Sequence, residues 1–142
     1  MRTIELSAIV ATLLLAACAT EPVVAENLEP LFSCRAVDGD TLNCNGERIR
    51  IIGIDAPEKG ACRPGRLCVE GDPIRATETL AAELHKPITI ERMGEDRYGR
   101  TLGHVYAGDR SVACSQLAAG SAEYIRRWDD RPQGRVQEEC GA

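Results

Sequence analysis

The sequence predicts a small domain of the mainly β (α+β) class: a five-stranded barrel with two or three helices packed on it. Three observations support this prediction. Turn signals divide the first part of the domain into short β-branched runs, one later stretch repeats its apolar residues with helical spacing, and two more strands and a short helix follow. This order of elements, without an internal repeat, is typical of a small barrel with helices on its outside. The 142 residues leave no comfortable room for a second domain.

The first 30 residues predict an export signal and a tether. Residues 4–17 are nearly apolar but too few to span a bilayer. The segment Leu15-Ala16-Ala17-Cys18 resembles the bacterial lipobox, which implies lipidation of Cys18; ordinary cleavage near Ala25 is the alternative. We therefore expect a lipoprotein-type signal peptide over residues 1–18, a tether over 19–30 and the folded domain over 31–142. The protein would be exported, either as a lipoprotein of the periplasm or outer membrane or as a secreted protein, and the lipid on Cys18 would be its contact with the membrane.

Cysteine usage supports export. Of the seven cysteines, six remain when Cys18 is set aside, and an even number in a small exported domain indicates disulfides. Cys34 and Cys44 lie equally far from Gly39, so a hairpin centred there would place them opposite one another. A zinc site is disfavoured because the sequence has no Cys-x-x-Cys motif and neither histidine lies near a pair of cysteines. The expected pairs are Cys34–Cys44, Cys62–Cys68 and Cys114–Cys140.

The first strands are predicted by two turn signals, Asp38-Gly39 and Asn45-Gly46. The three strands of this meander are expected at Leu31–Val37, Thr41–Cys44 and Glu47–Ile54. A two-residue loop at Asn45-Gly46 places Thr41 opposite Arg50, so Asp40 and Arg50 become neighbours.

Asp55 lies farther along the same chain, about 13 Å from the level of Asp40 if the strand were flat at ~3.3 Å per residue. Asp40 and Asp55 can therefore share an ion only if the strand curls strongly, with a bend near Gly53.

The remaining elements follow from caps and breakers. Asp72-Pro73 is an N-cap with a proline in the first turn, and Lys86-Pro87 stops the helix. We expect a disulfide-clipped loop over Lys59–Gly71, a helix from Pro73 to Leu84, strands at Ile88–Met93 and Thr101–Ala107, a short helix over Ser111–Ala119, an extended segment over Ala122–Trp128, and an irregular tail pinned by Cys140.

Three motifs carry the chemistry: Val37-Asp38-Gly39-Asp40-Thr41, the run from Arg50 to Asp55-Ala56-Pro57-Glu58, and Asp96-Arg97-Tyr98-Gly99-Arg100. Carboxylates suit a hard cation such as Ca²⁺, and guanidiniums bind phosphate with two hydrogen bonds while staying charged. Taken alone, Asp38-Gly39-Asp40 would more often be a turn, Arg50 a solvated residue on the face of the barrel, and Arg97 with Arg100 a charged turn. Glu58 alone could equally be a surface residue. Together they indicate metal-assisted phosphoryl chemistry. Because the net charge is -5, contact with a polyanion must be local, through clustered arginines and a bound cation.

In their order and spacing, these motifs resemble the signature blocks of the staphylococcal nuclease (thermonuclease) family, over residues 33–125. The resemblance implies an OB-fold barrel that uses Ca²⁺ to hydrolyse DNA and RNA to 3′-phosphorylated products. It makes Asp40 and Asp55 calcium ligands, with the backbone carbonyl of Ala56 as a third. Glu58 would position or deprotonate the attacking water. Nucleic acid is the expected partner of a monomer that has no protein partner.

The phosphate and nucleotide contacts are implied in the same way. Arg50 and Arg100 would grip the scissile phosphate, and Tyr98, with Arg97 beside it, would lie against the nucleotide. Near the C-terminus the family contributes tyrosines to the nucleotide pocket, whereas this chain has Arg126 and Trp128 at about these positions. We expect Trp128 to stack on a base and Arg126 or Arg127 to contact phosphate.

The alternative hypothesis is a catalytically inactive OB-fold module that binds nucleic acid or a protein in the cell envelope. The presence of all five side chains of the implied machinery favours the enzyme, since a binding module has no need of the whole set. They are Asp40, Arg50, Asp55, Glu58 and Arg100.

Overall fold

The computed structural model describes residues 27–129 and 134–142. The predicted signal peptide, the lipidation site Cys18 and most of the predicted tether lie outside the described residues. Within the described residues, no helix combines the length and the apolar character needed to cross a membrane.

A curled, mixed β-sheet forms the body of the domain. The described strands are β1 (Glu29–Leu31), β2 (Cys34–Ala36), β3 (Thr41–Cys44), β4 (Glu47–Ile51), β5 (Ile54–Asp55), β6 (Ile88–Glu95), β7 (Thr101–Ala107), β8 (Arg110–Ser111) and β9 (Glu123–Tyr124). β5 and β9 pair with each other in a separate two-stranded sheet, and the other strands belong to the curled sheet. The helices are α1 (Pro73–Glu83), α2 (Val112–Ala118), a 3-10 turn at Arg126–Trp128, and α3 (Arg135–Cys140).

Both edges of the main sheet belong to one bent segment of chain. The strand order is β1-β6-β7-β4-β3-β2, and only Phe32 and Ser33 separate β1 from β2 in the sequence. Ser33 has a φ of 52°, where a non-glycine residue is uncommon, and the chain bends there. The single strand predicted over Leu31–Val37 is therefore wrong in detail. β1 also begins at Glu29, so sheet pairing extends two residues into the segment expected to be a tether.

Counting β1 and β2 as one bent strand, five strands curl around a common core, and the predicted OB-fold barrel is confirmed. β4 and β7 run parallel, whereas the other neighbours in the main sheet are antiparallel. The core is apolar and closely packed, which is the main driving force for folding. Its fully buried aliphatic side chains are Leu42, Ile49, Ile51, Ile54, Leu80, Ile90, Val105, Val112 and Val136.

The predicted central helix is confirmed with its cap. The side chain of Asp72 accepts hydrogen bonds from the backbone N–H groups of Ile74 (2.8 Å) and Arg75 (3.2 Å), and Pro73 occupies the first turn. The short helix after β8 is also present. It begins at Val112, and Ser111 is its N-cap.

The C-terminal part differs from the prediction. The segment expected to be extended pairs with β5 only at β9 and then forms a 3-10 turn, and the tail contains α3 instead of being irregular. The carboxylate of Asp129 caps α3 by accepting the N–H groups of Val136 (3.1 Å) and Gln137 (3.2 Å). Val136 is fully buried, so the tertiary packing that a helix of this length needs is present.

The three expected disulfides, Cys34–Cys44, Cys62–Cys68 and Cys114–Cys140, are all formed. The first joins β2 to β3, the second closes a loop, and the third joins α2 to α3. This density of disulfides in a small domain is typical of extracellular and periplasmic proteins.

Gly39, in the turn before β3, packs too closely against its neighbours to accept a side chain. A Cβ atom there would lie 2.6 Å from the Cβ of Ala56 and 2.7 Å from that of Ala76. The carbonyl of Gly39 also accepts a hydrogen bond from the buried amide of Gln116. The turn is therefore pressed between the end of β5 and helix α1.

We predict that Gly39→Ala lowers the free energy of unfolding by about 2 kcal/mol, because the added methyl group overpacks a site lined by rigid groups. Urea denaturation measures the effect. Gly60→Ala is the matched control, since nothing lies within 4 Å of a Cβ at that position. Equal stability of the two variants would contradict the prediction.

Candidate active site

Asp40 and Asp55 meet at one point of the barrel because the chain bends between β4 and β5. The β3–β4 register pairs Thr41 with Arg50, as predicted. Gly53 adopts a left-handed φ of 79°, which glycine tolerates without strain, and the chain turns there. The N–H of Ala56 then donates to Asp40 Oδ2 at 2.8 Å. The strong curl demanded by the sequence reasoning is present.

Arg50 is buried between the two aspartates. Its Nη1 lies 2.7 Å from Asp40 Oδ2, and its Nη2 lies 3.0 Å from Asp55 Oδ1. Nη1 also donates to the carbonyl oxygens of Asp40 and Ile51 at 3.4 Å. Charge-assisted bonds of this kind fix the guanidinium plane as well as its position.

The protonation of Asp40 is set by opposing effects. Burial raises its pKa to about 7, the positive charge of Arg50 opposes the shift, and the neighbouring Asp38 reinforces it. Removal from water favours the neutral form of a carboxyl group, and a second carboxylate nearby acts in the same direction.

Glu58 lies at the rim of this cluster and is bound by a residue that the sequence reasoning missed. Arg66, in the disulfide-closed loop, places Nη1 2.7 Å from Glu58 Oε1 and Nη2 3.3 Å from Asp55 Oδ1. The sequence reasoning identified the loop but gave no role to any residue in it. The available signal was the two arginines between Cys62 and Cys68, in the loop that directly follows the acidic motif.

Arg100 and Tyr98 form a second group at the β6–β7 turn. Arg100 Nε lies 2.8 Å from Asp96 Oδ2. Burial opposes ionisation of Asp96, but hydrogen bonds from the backbone and side chain of Arg100 and from the backbone of Tyr98 lower its pKa. Arg97 stacks on the Tyr98 ring, 4.8 Å from its centroid. Leu102 in β7 pairs with Arg50, so Arg100 sits where the neighbouring strand begins, although the structure pairs it with Asp96 instead of the buried cluster.

Trp128 lies beside the cluster of Arg50, Asp40 and Asp55. The Arg50 guanidinium carbon lies 5.3 Å from the centroid of its ring, and that of Arg127 lies 4.9 Å away, both within the range of a cation–π contact. The carbonyl of Trp128 accepts the N–H of Gly53 at 2.9 Å, which attaches the 3-10 turn to the bend before β5. Arg126 is exposed at the start of this turn.

The oxygen donors fit a hard cation. Within residues 27–129 and 134–142, no group of three or more His, Cys, Asp or Glu side chains is placed to hold a metal. A site built on Asp40 and Asp55 therefore needs a backbone oxygen. The carbonyl of Ala56 is the candidate, because the hydrogen bond from the N–H of this residue to Asp40 holds its backbone beside the two aspartates. One cationic group, Arg50, contacts both carboxylates, so both face a common point. Two carboxylates and one carbonyl suit Ca²⁺, which takes several oxygen ligands and accepts water among them.

A model of the family described as "Staphylococcal nuclease homologue" matches residues 48–139 of the 142-residue chain. The chain belongs to this family. The matched range contains Arg50, Asp55, Glu58 and Arg100, whereas Asp40 precedes it and is tied to the family site by its contacts with Arg50 and Ala56.

Relatives of the family include nucleases of several organisms. An uncharacterized endonuclease of Escherichia coli O157:H7 is 35% identical over 69% of this chain and 62% of its own length. A thermonuclease of Staphylococcus intermedius is 31% identical over 53% of this chain and 47% of its own. A succinoglycan biosynthesis protein, ExoI, of Rhizobium meliloti is 30% identical over 73% of this chain and 53% of its own. The chain spans between about half and just under two thirds of the length of the E. coli and R. meliloti relatives.

The raised pKa of Asp40 predicts a pH-dependent difference between the wild type and Asp40→Asn. The folded-state pKa of about 7 lies above the ordinary value of 3.8, so the folded protein binds this proton more tightly than the unfolded chain. The stability contributed by the proton is fully present below 3.8 and is lost as pH rises through about 7. Relative to the wild type, Asp40→Asn should become progressively more stable across this window.

Urea unfolding at several pH values measures this difference, and groups common to both proteins cancel in it. Asp109→Asn, at an exposed position, is the control. A stability difference between wild type and Asp40→Asn that stays constant from pH 4 to pH 7 would contradict the prediction.

Proposed function

We propose that the protein is an exported, Ca²⁺-dependent nuclease that hydrolyses phosphodiester bonds of DNA, RNA or both and leaves 3′-phosphorylated products. The observation that carries the proposal is the buried Arg50 between Asp40 and Asp55, with Glu58 at the rim of the same cluster. Relatives named as endonuclease and thermonuclease support the same chemistry.

In this proposal, Asp40, Asp55 and the carbonyl of Ala56 would hold Ca²⁺. The chemistry that the ion would supply there is polarisation of a phosphoryl oxygen and orientation of water. Arg50 is ready to bind the scissile phosphate, because its guanidinium is already fixed in one plane by two carboxylates and two carbonyls. Preorganised donors of this kind stabilise developing charge without moving during the reaction.

Glu58 acts as the general base. Its side chain is 43% exposed, so water can reach its carboxylate, whereas the nearly buried Asp55 is less accessible. As the water oxygen bonds to phosphorus, its proton passes to Glu58 and the bond from phosphorus to the 5′ oxygen breaks. The 5′ oxygen leaves as a hydroxyl after taking a proton from solvent water, and the phosphate stays on the 3′ side. Arg100 releases Asp96 and meets the same phosphate from the start of β7.

The nucleotide is held by aromatic and basic side chains at the two sides of the cluster. Tyr98, which is 57% exposed, stacks with the nucleotide on one side, supported by Arg97. Trp128 stacks with a base on the other side, and Arg126 contacts a neighbouring phosphate. Binding is local because the chain as a whole is acidic.

The proposed setting is the cell envelope. Signal cleavage before Cys18, lipidation of this residue and a tether up to residue 30 would hold the domain of residues 31–142 outside the cytoplasm. The disulfides are consistent with such a compartment. The domain would act as a monomer without a protein partner.

Arg50→Lys tests the phosphate clamp. Lysine keeps the positive charge but cannot contact both aspartates and a phosphate through one planar group, so we expect the release of acid-soluble nucleotides to fall by about 100-fold. The assay uses single-stranded DNA and RNA with Ca²⁺, and a chelator should abolish wild-type activity. Arg35→Lys, at the exposed position of β2, is the matched control. Activity that survives the chelator, or equal activity of the two variants, would refute the assignment.

Glu58→Gln tests the base. Because the side chain is exposed, the substitution leaves the core unchanged, and removal of a general base costs on the order of 100-fold or more in kcat. Glu70→Gln, exposed near the end of the same loop, controls for the lost negative charge. An unchanged kcat would eliminate Glu58 as the base.

A further inference from the structure

Arg66 contacts the two carboxylates that differ most in their proposed tasks. Its Nη2 lies 3.3 Å from Asp55 Oδ1, and its Nη1 lies 2.7 Å from Glu58 Oε1. Asp55 Oδ1 therefore has two guanidinium neighbours, because Arg50 Nη2 lies 3.0 Å from the same oxygen. A third positive charge cannot approach this oxygen without electrostatic repulsion unless one of the two arginines moves.

The two arginines differ in how firmly they are held. The side chain of Arg50 is 10% exposed and also contacts backbone carbonyls, whereas that of Arg66 is 37% exposed. Departure of Arg50 would leave buried carboxylates without their partner, whereas Arg66 is partly solvated and can leave Asp55 paired with Arg50.

The loop that carries Arg66 is fastened to the site at both ends. At its start, Lys59 Nζ donates to the carbonyl of Val37 at 2.7 Å, next to the turn that carries Asp40. At its end, a Cβ on Gly71 would lie 3.0 Å from the ring of Pro57, so the chain returns to the acidic motif.

Between these ends, a small covalent ring positions Arg66. The Cys62–Cys68 disulfide closes the loop around it, and the N–H of Arg66 donates to the carbonyl of Arg63 at 3.1 Å. A side chain on a closed ring reaches its partners with less loss of conformational freedom than one on an open loop.

We propose that Arg66 is a built-in competing cation: it closes over Asp55 and Glu58, and a divalent cation must displace it to bind Asp55. This inference rests on the proposed function for the identity of the cation site, and it adds a residue and a loop that oppose binding there. The loop thereby sets the Ca²⁺ concentration at which the site fills. It also keeps Glu58 paired until the cation has entered, so base and metal become available together.

The test is Ca²⁺ binding by isothermal titration calorimetry on the purified, disulfide-bonded protein, without nucleic acid. Arg66→Gln should raise the affinity for Ca²⁺ roughly tenfold, because it removes both the competing ion pair and a nearby positive charge. Arg63→Gln is the matched control: it makes the same charge change within the same disulfide ring, and it should alter the affinity by no more than about twofold because an exposed charge is screened.

Tb³⁺ luminescence supplies an independent readout. Trp128 is the only tryptophan of the chain, and its ring lies 5.3 Å from the Arg50 guanidinium, so energy transfer reports on ions bound at this cluster. Arg66→Gln should lower the Tb³⁺ concentration at half-maximal signal by the same factor as for Ca²⁺.

A variant that lacks the Cys62–Cys68 disulfide tests whether the closed ring positions Arg66. In Cys62→Ser/Cys68→Ser the ring is open, so part of the increase in affinity should appear without any change of charge. Adding Arg66→Gln to this background should then have a smaller effect than in the wild type. Fully additive effects would overturn the role given to the disulfide.

The outcomes separate this proposal from the proposed function. Ca²⁺ binding that is equal in the wild type and Arg66→Gln, or weaker in the variant, overturns the competition and leaves the nuclease assignment intact. Equal gains in Arg66→Gln and Arg63→Gln also overturn it, since the effect would then be one of general charge. If neither wild type nor Arg66→Gln binds Ca²⁺ or Tb³⁺, the cation site itself is refuted, and the competition with it.

Discussion

The ion-paired cluster of Arg50 with Asp40 and Asp55 is the constraint on which the rest of the structure depends. Three charged groups can be removed from water only if each finds its partners, and loss of one partner from such a cluster costs about 3–5 kcal/mol. The cluster therefore requires the β3–β4 register, the bend at Gly53, and the approach of Ala56 to Asp40. Each of these is a feature of the backbone, so the ion-paired cluster can form only if the barrel is curved in this way.

Most of the stability comes from other parts of the domain. A core of aliphatic side chains from the curled sheet packs against α1, α2 and α3, and three disulfides restrict the unfolded chain. This division allows the site to keep features that are unfavourable by themselves, such as the buried carboxyl of Asp40. It also allows the loop over Lys59–Gly71 to have little contact with the core, since its own disulfide gives it shape.

Local sequence signals made much of the fold predictable. The Asn45-Gly46 turn fixed the β3–β4 register, and with it the contact between Asp40 and Arg50, because a two-residue turn leaves one way to pair the strands. The cap at Asp72 located α1. The break at Ser33 could not be foreseen, since nothing local favours a left-handed serine; it arises because one segment must pair with both β6 and β3.

Two other features depended on contacts between distant residues. Helix α3 has no capping residue of its own beside its start, and Asp129, six residues earlier, supplies the cap. The pairing of Arg66 with Asp55 likewise depends on the path of an irregular loop, which turn signals do not determine. Among the site residues named from the sequence, those around Arg50 and Trp128 lie together in the structure. Arg100 and Tyr98 lie apart from them, at the β6–β7 turn.

The two guanidiniums on Asp55 show how one carboxylate can serve both the fold and the chemistry. Arg50 reaches it from a strand of the barrel and is buried, so the free energy of this pair is part of the stability of the domain. Arg66 reaches it from a surface loop and is partly solvated, so its departure is compensated by water. In the proposed mechanism, an entering cation would replace the Arg66 contact, which the fold does not need. The buried Arg50 would stay in place and remain available to phosphate. The difference in burial between these two arginines, rather than any difference in their chemistry, assigns one to structure and the other to exchange.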